Sequence, residues 1–117
     1  MRGKLGDSIR LQHILEVIHE IEAYLVSSDF TEFISNSMMR FACIKQMEII
    51  GEASNHISEE IKSKFTDIEW AQIVGMRNVI VHEYFGVDTN LVWEINKNDI
   101  PYLKEKISVV VSSLESK

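Results

Sequence analysis

Four polar side chains of different chemistry lie close together in this chain: Arg77, Asn78, His82 and Tyr84. Histidine can accept and donate protons near neutral pH, and general acid–base catalysis of this kind contributes roughly 10²–10⁴-fold. Arginine offers a planar, permanently charged fork that fits phosphate oxygens. Arg77 and His82 therefore suit the cleavage of RNA by its own 2′-hydroxyl. This reaction needs a base, an acid and a positively charged group that stabilises the negative phosphorane.

One predicted helix carries all four side chains. Thr66 and Glu69 form a capping box, which predicts where the helix begins, and Gly86 is a natural end. Between these signals, apolar residues recur at helical spacing and form a band: Trp70, Ile73, Val74, Ile80 and Val81.

Asn78 and His82 lie on one shoulder of this apolar band, and Tyr84 lies beside Arg77. At 100° per residue, Asn78 and His82 fall roughly 100° and 140° from Arg77, and Tyr84 falls roughly 20° to its other side. Titratable groups should therefore edge a buried face. Gly75 lies on the side of Asn78 and His82, where its missing side chain should let another backbone or a ligand approach closely.

The rest of the chain predicts an all-α fold. A first helix capped by Asp7 or Ser8 should run to about Ser27, and a connector should follow around Phe30 to Ile34. A second helix should run from residues 35–37 to about His56, and a short third one from Ser58 to Lys64.

The C-terminal part predicts two further segments. A stretch with Leu91 to Ile95 should be interrupted at Asn96 to Asp99, and Asp99 should cap a last helix with Pro101 in its first turn. We predict one domain over residues 1–117, an antiparallel bundle of four main helices plus short ones.

Composition limits the class of protein. The 117 residues are 45% hydrophobic and 26% charged, which is ordinary for a globular domain. The net charge of −6 provides no global basic surface for nucleic acid. The single cysteine, Cys43, excludes an internal disulfide, and we see neither a membrane-spanning run nor a signal peptide. We expect a cytoplasmic protein without membrane association.

Other acids and histidines give weaker signals. Glu48 and Glu52 are four residues apart on one helical face, so they are either surface acids or supports for His82 or Arg77. His82-Glu83 begins like a zinc motif, but Gly86 stands where the second histidine would be needed. The sequence requires no metal and no organic cofactor.

One chain supplies only one such histidine, and separate acid and base groups are easier with two. A symmetric dimer would place two copies of His82 and Arg77 in one groove. By itself the Arg-x4-His spacing is a weak pattern, which also fits an arginine paired with a carboxylate and a capping histidine.

A wider pattern resembles the HEPN superfamily, and more closely the HepT-like toxins with their Arg-x4-His-x-Tyr signature. The matching residues are Trp70, Arg77, Asn78, His82 and Tyr84, with Gly75-Met76 before and Gly86-Val87-Asp88 after them, and also Ile50-Gly51-Glu52-Ala53 and Asp99-Ile100-Pro101. The resemblance extends over nearly the whole chain.

This resemblance implies a homodimer and a metal-independent endoribonuclease, with Arg77 and His82 catalytic and Asn78 assisting. It also implies an MntA-like nucleotidyltransferase antitoxin that transfers AMP from ATP to Tyr84. AMP at that position would place phosphate where RNA phosphate binds. The alternatives are a non-catalytic module that docks a nucleotidyltransferase and binds phosphate, and a purely structural dimerisation bundle.

Overall fold

The computed structural model describes residues 3–75 and 89–115, and the regular secondary structure in these two stretches is helical throughout. The helices are α1 (Gly3–Leu25), α2 (Phe30–Ser35), α3 (Ser37–Asn55), α4 (Glu59–Lys64), α5 (residues 70–75), α6 (Thr89–Glu94) and α7 (Ile100–Glu115). A π-helical turn, Ile95–Asp99, joins α6 to α7. The all-α bundle predicted from the sequence is confirmed.

Helix α1 forms the centre of the bundle, since it packs against both α3 and α7. Its three- and four-residue apolar spacing places one stripe fully inside, including Leu11, Ile14 and Ile18, each 0% exposed. The inner face of α7 comprises Ile100, Leu103, Ile107, Val110 and Val111. The opposite face of α1 carries the exposed His13, Glu16, His19 and Glu20.

The predicted start of the first helix is wrong, because α1 begins at Gly3 and not at Asp7 or Ser8. An N-cap side chain must accept a hydrogen bond from the first turn of its own helix. Asp7 cannot serve that purpose, because its two carboxylate oxygens accept hydrogen bonds from Ser58, across the bundle.

The predicted connector around Phe30 to Ile34 is a helix of its own, α2. The Asp29 carboxylate accepts a hydrogen bond from the N–H of Glu32 at 2.8 Å, which caps α2. Asn36 caps α3 in the same way, through the N–H of Met39 at 2.9 Å. Phe33 is fully buried and holds the short helix on the bundle.

The predicted interruption at Asn96 to Asp99 is also wrong, since the chain stays helical from Thr89 to Glu115. Asp99 lies inside the π turn instead of capping α7, and the N–H of Ile100 donates to the carbonyl of Ile95, five residues back. Pro101 gives a physical reason for the wide turn, because proline lacks an N–H and its ring crowds the carbonyl four residues earlier.

Candidate active site

The predicted catalytic residues Arg77, Asn78 and His82, and the predicted modification site Tyr84, all lie outside the described residues. Their placement therefore stays a prediction from the sequence. The structure describes the two ends of the segment that carries them, α5 up to Gly75 and α6 from Thr89. These ends are the described elements that precede and follow the predicted catalytic residues in the chain.

Helix α5 begins later than the capping box predicted. Thr66 and Asp67 lie in a turn closed by the N–H of Ile68, which donates to the carbonyl of Phe65 at 3.2 Å. The first helical bond runs from the N–H of Ile73 to the carbonyl of Glu69 at 3.0 Å. The helix therefore starts at residue 70, and Thr66 is not its N-cap.

Trp70 fixes this start to the preceding helix. Its side chain is 8% exposed and belongs to the bundle core. Its indole Nε1–H donates to the carbonyl of Phe65 at 3.0 Å, directly beyond the end of α4. Buried indoles are typically paired in this way, so the first residue of α5 is held by both packing and a hydrogen bond.

A buried acid anchors α4 in turn. Asp7 is 2% exposed, and it accepts hydrogen bonds from the N–H of Ser58 at 2.9 Å and from its hydroxyl at 2.6 Å. The same Ser58 oxygen accepts from the N–H of Ile61 and so caps α4. Helix α4 is thereby tied to α1, and sequence reasoning missed this because the partners are separated by 51 residues.

An ion pair ties the turn before α5 to α7. The ammonium of Lys106 lies 2.9 Å from the carboxylate of Asp67. This hydrogen bond lowers the pKa of Asp67 below its ordinary value and raises the pKa of Lys106 above its own. Both groups are therefore charged across the physiological pH range.

The return of the chain is anchored on the same core. Val92 in α6 is 3% exposed, and Asn96 in the π turn is 4% exposed. The Asn96 amide donates to the carbonyl of Val92 at 2.8 Å and lies 3.4 Å from the sulfur of Met47 in α3. Trp70 of α5 and Val92 of α6 therefore belong to the same core cluster.

Aromatic contacts pack α6 against α2. The ring of Trp93 lies 5.8 Å from that of Phe30 and 5.1 Å from that of Phe33, between centroids, with the planes tilted. The ammonium of Lys97 lies 5.2 Å from the Trp93 ring, within the range of a cation–π contact.

Gly75 is the last described residue before the predicted catalytic segment. A Cβ placed on it meets no atom within 4 Å among the described residues. Close approach by another backbone or by a ligand at Gly75 remains a prediction, because residues 76–88 lie outside the described residues.

The predicted supporting acids have local partners on α3. Glu48 lies 3.8 Å from Lys45, and Glu52 lies 3.2 Å from His56. The Glu48 side chain is 24% exposed and that of Glu52 is 50% exposed. Both interpretations, surface acids or supports for His82 or Arg77, stay predictions, because His82 and Arg77 lie outside the described residues.

No metal-binding cluster of three or more histidine, cysteine or acidic side chains occurs within residues 3–75 and 89–115. Cys43 is fully buried, and this burial raises the pKa of its thiol to about 11. It is therefore a core side chain rather than a nucleophile. In those two stretches, no helix is long and apolar enough to cross a membrane.

Comparison with known proteins gives a family. Residues 14–110 match the family described as "Ribonuclease HepT-like", and that range includes Arg77, Asn78, His82 and Tyr84. Fold and sequence pattern together define an all-α protein of the HEPN type. Within that class, the chain belongs to the HepT-like ribonuclease family.

Several relatives match along most of their length. One, from Methanocaldococcus jannaschii and provisionally named an RNase, is 41% identical over 100 residues, covering 86% of this chain and 92% of the relative. Another, from Thermococcus cleftensis and provisionally named ribonuclease HepT, is 40% identical over 96 residues, covering 82% and 87%. No solved structure matches this chain.

Proposed function

We propose that this chain is a metal-independent endoribonuclease and the toxin of a toxin–antitoxin system. The observation that carries the proposal is the family match over residues 14–110, which contains an intact Arg77, His82 and Tyr84 signature. The provisional RNase names of its relatives support the same activity.

The proposed reaction is an internal transesterification. One His82 takes the proton from the 2′-hydroxyl of RNA, and that oxygen attacks the adjacent phosphorus. The bond from phosphorus to the 5′-oxygen breaks, and the partner's His82 protonates this leaving oxygen. Arg77 stabilises the negative phosphorane, and Asn78 holds a phosphate oxygen or positions His82. The products are a 2′,3′-cyclic phosphate and a 5′-hydroxyl end.

A homodimer completes the proposed site. One chain supplies a single His82, whereas the reaction uses an acid and a base. Two copies in a shared groove supply both, and they also concentrate guanidinium charge on a protein whose net charge is −6. The groove is therefore the region where an acidic chain would bind RNA.

Regulation is proposed to act on Tyr84. An MntA-like nucleotidyltransferase would join the Tyr84 oxygen to the α-phosphorus of ATP, with release of pyrophosphate and of the phenolic proton. The added phosphate would occupy the RNA phosphate position beside Arg77 and block cleavage. The Tyr84→Phe variant should therefore cleave RNA and should not be inhibited by the nucleotidyltransferase and ATP. The Tyr102→Phe variant should still be inhibited by them.

The central experiment is RNA cleavage by the purified chain in EDTA. Wild type should produce 2′,3′-cyclic phosphate ends, and His82→Ala should lower the rate by roughly 10²–10⁴-fold. His56→Ala is the matched control, because His56 is an exposed histidine paired with Glu52 on α3. Equal rates for His82→Ala and wild type would disprove the mechanism.

A second candidate function is a non-catalytic module that docks a nucleotidyltransferase and binds phosphate through Arg77 and His82. The net charge of −6 favours it, because nonspecific RNA affinity depends on basic charge. The two functions differ in a growth test. A ribonuclease toxin should arrest growth when expressed alone and be relieved by its partner, whereas the module should do neither.

A further inference from the structure

Trp70 lies between the bundle core and the segment that carries the predicted catalytic residues. Its ring is buried in the bundle core, and its indole N–H reaches back to the carbonyl of Phe65 at 3.0 Å. On its C-terminal side, α5 runs toward the predicted catalytic arginine. A residue at this junction can influence the orientation in which the rigid core presents the catalytic segment.

The indole bond is not needed to satisfy the Phe65 carbonyl. That oxygen already accepts the N–H of Ile68 at 3.2 Å, so the turn keeps a bonded carbonyl without Trp70. Loss of the indole N–H would also leave no buried donor unpaired, because the donor itself is removed. The main effect of this bond is therefore to fix the rotation and the height of the first turn of α5. Satisfying the two polar groups is the smaller part of its contribution.

The neighbouring restraints act on either side of this junction. Ser58 and Asp7 hold the start of α4, and Asp67 pairs with Lys106 of α7 on the surface. Between them, the indole bond links the end of α4 directly to the first residue of α5. Loss of this bond would therefore act directly on the start of α5.

Arg77 comes only two positions after the last described residue of α5. Consecutive Cα atoms are about 3.8 Å apart, so the Cα of Arg77 lies within about 7.6 Å of that of Gly75, the last described residue of α5. A rotation or translation of α5 therefore changes the position of Gly75, from which the chain reaches Arg77 two residues later. Catalysis is sensitive to such displacements, since about 1 Å of misplacement can cost roughly 10²-fold in rate.

We propose that Trp70 is a positioning residue for Arg77, acting through the hydrogen bond from its indole N–H to the Phe65 carbonyl. The inference rests on the proposed ribonuclease function, in which Arg77 stabilises the phosphorane. Because the arginine side chain is long, it can reach the phosphate of bound RNA from several positions of its Cα. Stabilising the transition state requires one placement of the guanidinium relative to the phosphorane. Loss of the bond should therefore lower kcat more than it raises KM.

The test compares Trp70→Phe with Trp93→Phe. Both changes exchange an indole for a phenyl ring, and Trp93 is held by ring contacts to Phe30 and Phe33. We expect Trp70→Phe to lower kcat about tenfold or more with KM within about twofold of wild type, and Trp93→Phe to keep both values. Assays are run well below the melting temperature of each variant, measured by circular dichroism.

A shape-preserving replacement guards against a folding defect. The chain has two tryptophans, so in a Trp93→Phe background benzothienylalanine, incorporated in place of tryptophan, enters at position 70 alone. It keeps the bicyclic ring and replaces the N–H by sulfur. We expect the same loss of kcat as in Trp70→Phe.

Three results would overturn the inference, and each is distinct. If wild type cleaves RNA and the benzothienyl variant matches its kcat, Trp70 has a packing role alone. If Trp93→Phe loses as much kcat as Trp70→Phe, the effect is general to the bundle. If wild type does not cleave RNA at all, the proposed function fails, and this inference fails with it.

Discussion

Asp7 and Ser58 form a buried link between the first helix and the cap of α4. The carboxylate of Asp7 receives both the N–H and the hydroxyl of Ser58, at 2.9 and 2.6 Å, and Asp7 is only 2% exposed. One serine thus caps its own helix and binds a residue 51 positions earlier. This pair holds the beginning of the path that leads through α4 and α5 to the predicted active site.

Removal of this link should destabilise the fold. Asp7→Ala would leave the Ser58 groups without their acceptor, and hydrogen bonds to charged groups contribute about 1.5–3 kcal/mol each. We expect a loss of roughly 2–4 kcal/mol in the free energy of unfolding, measured by urea denaturation. Asp29→Ala, which removes the cap of α2 at the surface, should cost only about 1 kcal/mol.

A double-mutant cycle can separate the pair from general burial effects. Asp7→Ala and Ser58→Ala together should cost less than the sum of the single changes, because each removes the same contact. Additive effects would mean that the two residues act independently, contrary to the geometry.

The Asp67–Lys106 pair predicts a pH-dependent contribution to stability. The lowered pKa of Asp67 means that its contribution is complete above the ordinary value of 3.8 and is lost as the pH falls through the lowered value. The raised pKa of Lys106 means that the contribution is present below 10.5 and is lost as the pH rises through the raised value. Lys106→Met should lower the melting temperature near neutral pH, and the difference from wild type should shrink toward both extremes.

Lys45→Met is a suitable control for that series. Lys45 faces Glu48 at the longer distance of 3.8 Å and is 70% exposed, so its removal should have little effect at any pH. A Lys106→Met difference that does not change with pH would show that packing, not charge, holds the turn.

Cys43 should be protected from thiol reagents in the folded protein. Its side chain is 0% exposed, and burial raises its pKa to about 11, so little thiolate forms near neutral pH. We expect modification by Ellman's reagent to be slow in buffer and fast in urea. Rapid modification of the native protein would contradict the buried placement of this helix face.

The proposed composite site predicts that activity depends on protein concentration. Light scattering should give twice the 13.5 kDa of one chain, and specific ribonuclease activity should fall as the dimer is diluted to monomers. Activity per chain that stays constant in a solution shown to be monomeric would exclude a site shared between two copies.

Local patterns predicted much of the fold correctly. The three- and four-residue spacing of Leu11, Ile14 and Ile18 is visible in the sequence and matches the buried stripe of α1, because helical periodicity depends only on neighbours in the chain. Ser58 was correctly predicted as the start of α4 for the same reason. The position of the predicted catalytic residues lies outside the described residues, so for them the sequence pattern and the family match stand alone.

Contacts beyond the local sequence explain why two predicted helix starts were wrong. Asp7 looked like a cap but binds Ser58, and no local pattern reveals a partner so far away. Thr66 and Glu69 have the spacing of a capping box, but the turn closes on Phe65, and the helix starts later than a cap at Thr66 would require. In both places tertiary contacts override a local preference.

The π turn between α6 and α7 maintains the phase of one continuous helix. Val92, Asn96 and Ile100 follow each other at four-residue steps, and all three are buried. In a regular α-helix each such step drifts by roughly 40°, whereas a wider turn holds more residues and absorbs the drift. Deletion of one residue within residues 97–99 would therefore restore a regular α-helix in which Val92 and Ile100 are seven positions apart and roughly 20° from alignment, so that both would still face the core.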